Sequence, residues 1–129
     1  MAYSIDRTFE GVNFEDIADR TRVALADKGF GVLTEIDVKA TMKKKLDKDL
    51  PDYLILGACN PNMAYEAIGI EPKIGAMLPC NVIVRDTGEG SVTVSAVDPV
   101  ASMQSVENAR LHEVAGQVRT MLEDAVNTI

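Results

Sequence analysis

Residues 54–84, LILGACNPNMAYEAIGIEPKIGAMLPCNVIV, constrain this chain more than any other stretch, because they hold both cysteines, three of the five prolines and the longest apolar runs. The run that begins at Tyr53 and ends at Ala58 has strand length and no charge, and Cys59-Asn60-Pro61-Asn62 then turns the chain into MAYEAIGI, which has helical spacing. Asn60 is the natural N-cap of that helix. Pro61 suits its first position, where a backbone N–H would be unpaired anyway. Cys59 therefore closes a strand just before the positive end of a helix, a place that can lower a thiol's pKa when the sulfur meets free N–H groups. GIEPKIGAMLP reads as an irregular connection, and CNVIVRD opens a second buried strand with Cys80 directly behind Pro79.

On either side of this segment, strand and helix patterns alternate. Tyr3, Ile5, Arg7 and Phe9 alternate with Ser4, Asp6 and Thr8, the period of an exposed or edge strand. Asn13 can cap a helix whose apolar side is roughly marked by Phe14, Ile17, Ala18, Thr21, Val23, Ala24 and Leu25, through Lys28 to a stop at Gly29. Residues 30–38 predict a second strand, with Val32, Thr34 and Ile36 set against Leu33, Glu35 and Asp37. Residues 38–50 have the spacing of a short helix halted at Leu50-Pro51, since a residue before proline avoids helical geometry.

Beyond Cys80, residues 81–85 and 91–97 flank the glycine-containing connection DTGEG and predict a hairpin, in which Val92, Val94 and Ala96 alternate with Thr93, Ser95 and Val97, so that one face is core and the other half wet. Residues 99–105 read as a connector. Residues 106–127 predict a long helix with Val106, Ala109, Leu111, Val114, Val118, Met121, Leu122, Ala125 and Val126 at mostly helical intervals on its apolar face. The expected fold class is α+β: a single domain over residues 1–129, with a mixed or antiparallel sheet, helices mainly on one face and the order β-α-β-α-β-α-β-β-α.

A chain of 129 residues with 47% hydrophobic content can bury one real core. Its 13 basic and 20 acidic residues, for a formal charge of −7, argue against nucleic acid and anionic membranes as partners, because affinity for phosphate surfaces comes from Lys and Arg. Lys43, Lys44 and Lys45 are followed by Asp47 and Asp49 and read as a solvated helix face. Aromatic residues make up only 5% and tryptophan is absent, so no stacking platform for bases is evident. The start MAYSIDRTFEG has neither a basic region nor an apolar one, and no apolar run has membrane-spanning length, so a cytoplasmic location is expected. In a reducing compartment two cysteines default to thiols.

Cys59 and Cys80 are the candidates for thiol chemistry, and the plainer reading of each is a small buried hydrophobe. Asn60, Asn62 and Asn81 place polar groups beside them, as a small-ligand pocket would require. Together with Pro61 and Pro79 these residues form the candidate ligand-binding set. Met63, Met77 and Met103 can in principle join the thiols around a soft metal, but methionine as core filler is the preferred reading, and no metal site is expected. His112 stands alone on the last helix and reads as a surface residue. No CxxC, HExxH, Walker-type or GxGxxG pattern occurs.

The segment GACNPNMAYEAIGIEPKIGAMLPCNVIVRD, the later SVTVSAVDP and the opening FEGVNFEDIADRTRVALADKGFGVLTEIDV resemble the DUF302 family over nearly the whole chain. The resemblance implies a compact α+β fold, often dimeric, with ACNP and LPC as hallmarks, here Cys59, Asn60, Pro61, Pro79 and Cys80. That family is one of unknown function, so it implies neither an activity nor a cofactor. Three readings follow: a small binding domain with its pocket between the ACNP turn and the LPC strand; a thiol-dependent redox or sulfur-handling enzyme using Cys59 with Cys80; and a structural homodimer with inert thiols. The expected partners are a second copy of the chain and a small-molecule ligand.

Overall fold

The computed structural model describes residues 2–129; Met1 lies outside them. Five strands, β1 (Ser4–Phe9), β2 (Gly31–Asp37), β3 (Tyr53–Cys59), β4 (Cys80–Gly88) and β5 (Ser91–Val97), form one sheet in the order β1-β5-β4-β3-β2. Every neighbouring pair is antiparallel. Of the two sheet types expected, mixed or antiparallel, the chain adopts the second.

The main helices are α1 (Phe14–Asp27), α3 (Pro61–Ile70) and α5 (Ala109–Asn127), with the short α2 (Val38–Leu46) and α4 (Pro99–Ser102) as connectors. A turn of 3-10 helix, Pro72–Met77, lies inside the segment expected to be irregular. α4 also replaces an expected connector, because Asp98 accepts from the backbone N–H groups of Val100 and Ala101 while Pro99 occupies the first helical position. The last helix begins at Ala109 rather than Val106, where Asn108 caps it by accepting from the N–H groups of Arg110 and Leu111.

The helix side of the sheet is the core. Leu56, Ala58, Cys80, Val82, Val84, Val92, Val94 and Ala96 face it and are buried together with Ile17, Leu25, Phe30, Leu111 and Leu122. Burying a side chain of this size contributes roughly 1.5 to 3 kcal/mol, so this layer dominates the fold. Arg22 of α1 reaches Glu35 of β2 at 2.6 Å and ties the helix layer to the sheet edge.

Two expectations need correction. The alternation foreseen in β2 breaks at Leu33, where a bulge shifts the register. Val32, Glu35 and Asp37 pair with Ala58, Leu56 and Leu54, whereas Thr34 and Ile36 pair with Gly57 and Ile55. α2 ends at Leu46, well before Leu50-Pro51, because Asp47 adopts the left-handed conformation (φ 52°) and its N–H donates back to Lys43 O.

Among the described residues, the other face of the sheet has no helix over it. Asp6, Thr8, Asn81 and Arg85 are exposed there, and Tyr53, Ile55, Ile83, Ser95 and Val97 are half-buried. The β4–β5 hairpin turns at Glu89 and Gly90, both with positive φ, as the glycine-containing connection predicts.

Candidate functional site

The site is built where β3 ends and β4 begins. Ala58 stands opposite Cys80 in the antiparallel ladder, so Cys59 is one residue out of register with Cys80 on the next strand. Strand spacing and rise then put their α-carbons roughly 6 Å apart. Both cysteines are free, Cys80 buried and Cys59 half-buried.

A helix between two strands generally leads to parallel neighbours. Here α3 and the 3-10 turn instead carry the chain back to the end of the sheet it left. The Leu78–Pro79 peptide is cis.

Asn60 caps α3 by accepting from the Met63 N–H at 3.1 Å, with Pro61 in the first turn. Local sequence decides this turn: a polar cap followed by proline stops β3 and starts the helix in adjacent residues. α3 then lies against α5 and borders a partly open cavity of about 30 Å3. Cys59, Asn60, Pro79 and Cys80 line it, together with Met63, Ala67, Phe30, Met103, Val114 and Val118, and the lining is almost entirely apolar. Burial, and secondarily the nearby Cys59, push the Cys80 thiol up to about 11. Cys80 is held as a neutral thiol at neutral pH.

Of the seven residues singled out from sequence, the structure therefore brings four to one cavity. Pro61 and Asn62 are exposed on the first turn of α3, and Asn81 faces the open side of the sheet. The contribution of α5, through Val114, Ala115 and Val118, was not foreseen as part of the site. Its apolar stripe is visible in sequence, but nothing local says which turn of the helix meets Cys80. Met63 and Met103 are visible in sequence as sulfur groups, and only the fold puts both in the lining of the cavity that the cysteines border. His112 lies on the surface, its ring N–H donating to Val106 O at 2.6 Å.

The DUF302 model, described as a domain of unknown function, matches residues 5–129. The chain belongs to the DUF302 family. An uncharacterized protein of Aquifex aeolicus (strain VF5) is 26% identical over 89 residues, which cover 69% of this chain and 56% of that relative. The chain thus matches little more than half the length of this relative. A crystal structure of an uncharacterized conserved DUF302 protein from Bacillus stearothermophilus superposes with a TM-score of 0.90 at 20% identity, covering 99% of this chain and 98% of that one. At that identity the likeness is one of fold. The ACNP and LPC segments of this chain are the two strand ends that meet across the β3–β4 ladder. No helix among the described residues is long and apolar enough to cross a membrane.

Proposed function

We propose that this DUF302 chain is a small binding domain that takes a small, soft ligand at the Cys59-Asn60 turn and the Pro79-Cys80 strand. The observation that carries this reading is the meeting of both segments, distant in sequence, at one apolar pocket. No Lys, Arg or His lines it, which favours a soft ligand over a weakly anionic one. Native mass spectrometry of protein purified without reductant or chelator tests the reading. A reproducible mass excess that Cys80→Ser removes is expected, and a bare chain under all conditions would overturn it.

The adjacency of Cys59 and Cys80 favours a second reading, thiol chemistry at Cys59 with Cys80 as its partner. In that case mild oxidation forms an intramolecular disulfide that dithiothreitol reverses. The thiols suit a reducing cytoplasm, where they persist unpaired.

The domain acts as a homodimer in this proposal, paired through the uncovered sheet face. Ile36, Ile55 and Ile83 lie side by side there in consecutive strands. A face of five strands at the usual spacing offers roughly 500 Å2 per copy, near the total of about 1,000 Å2 that a specific interface requires. On the same face Arg85 has no ion-pair partner among the described residues, and Asp6 is bonded only to Ser4, so two copies can pair these opposite charges.

A further inference from the structure

Four of the chain's eight sulfur-bearing residues, Cys59, Cys80, Met63 and Met103, line the one cavity described above. They come from four different elements: the end of β3, the start of β4, the first turn of α3 and the residue after α4. Methionine used as filler accounts for any one of these, but not for two thioethers and two thiols around one small void. The volume of about 30 Å3 exceeds the roughly 10–15 Å3 that one water needs and is far below the roughly 300 Å3 at which organic-ligand pockets begin. The apolar lining leaves a water few hydrogen-bond partners.

We propose that this cavity is a binding site for a single soft monovalent metal ion of the Cu(I) class, held by Cys59 and Cys80 sulfur with Met63 and Met103 as thioether ligands. The inference rests on the binding reading above and names its ligand. Thiolate and thioether sulfur select Cu(I), whereas Ca(II) and Mg(II) demand oxygen donors that the cavity lacks. Charge points the same way. A monovalent ion is neutralised by one thiolate, which an apolar cavity tolerates, while a divalent ion reaches neutrality only when both cysteines lose their protons. No carboxylate or imidazole lines the cavity. Binding exchanges one thiol proton for the ion: an S–H bond breaks, an S–metal bond forms, the proton passes to solvent and no oxidation state changes.

The test is an anaerobic titration of reduced, metal-free protein with Cu(I) in competition with a chromophoric Cu(I) chelator. One equivalent per chain is expected to resist the chelator, with X-ray absorption showing sulfur scatterers only. Losing a ligand should weaken binding by at least the ~10-fold seen when a supporting partner is lost, so Met63→Leu and Met103→Leu each weaken it by about tenfold or more. Both substitutions keep the side-chain volume, and circular dichroism checks that the variants fold. Met121→Leu, outside the cavity, leaves the affinity unchanged. Failure to compete with the chelator overturns the inference, as does binding that survives Cys59→Ser combined with Cys80→Ser. If Cu(I) fails to bind while purified protein still carries a Cys80-dependent adduct, the metal assignment falls and the binding reading stands.

Discussion

Gly57 and Pro79 meet so closely that a β-carbon added to Gly57 would sit 2.8 Å from Pro79 Cγ, with Thr34 Oγ1 nearer still. The contact links the centre of β3 to the proline that precedes β4. It makes glycine a packing requirement here and fixes how closely the LPC segment can lie on the sheet.

Gly57→Ala is therefore expected to destabilise the fold by about 1 to 3 kcal/mol, the usual cost of overpacking. Thr34→Ala in the same chain should recover part of the loss, since it removes one of the two clashing groups. Urea unfolding of the single and double variants measures both; wild-type stability in Gly57→Ala would contradict the packing seen here.

Stability at high pH should depend on Cys80. Burial raises its thiol from 9.0 to about 11 in the folded state. A folded-state pKa above the unfolded one contributes stability that is fully present below the unfolded value and is lost as pH rises through the folded one, here from about 9 to about 11. The shift limits the effect to about 2 to 3 kcal/mol. Denaturant unfolding of metal-free protein at the two ends of that window should show a smaller difference in Cys80→Ala than in the parent chain.

Leu122 is fully buried under α5 and His112 is exposed on the same helix. Leu122→Ala should cost about 2 to 5 kcal/mol through the cavity it leaves. His112→Ala should stay within about 1 kcal/mol, the worth of its one hydrogen bond to Val106. Thermal unfolding of the pair separates a packing residue from a surface one.

Ile55 and Ile83 occupy the face without a helix, so changing them should affect association more than folding. Ile83→Glu is expected to convert a dimer to a monomer in sedimentation analysis while leaving the circular dichroism spectrum unchanged. A monomeric parent chain would remove the sheet face as a homodimer surface.

The α3 cap offers a local test. Asn60→Ala removes the acceptor for the Met63 N–H and should cost about 1 kcal/mol. Because the same turn borders the cavity, the variant should also alkylate faster at Cys59 under native conditions, as timed mass spectrometry would show.

Much of this protein is determined by signals a few residues long. Asn60-Pro61 starts α3, Asn13 starts α1 and Glu89-Gly90 turns the hairpin, because caps and tight turns are decided by which backbone groups lack partners and which residues tolerate positive φ. The alternation in β5 likewise places Val92, Val94 and Ala96 in the core, since side chains along a strand face alternate sides.

The DUF302 motifs could be recognised from sequence alone, but what they form could not. Ladder pairing is non-local, so only the tertiary structure sets Ala58 opposite Cys80 and joins β3 and β4 as antiparallel neighbours despite the helix between them. It also decides that the bulge after Val32 turns Ile36 to the open face, and that α5 meets the thiols at Val114 and Val118. Periodicity tells a helix which side is apolar. Which turn of it covers which strand is settled by the packing of the whole helix layer on one sheet.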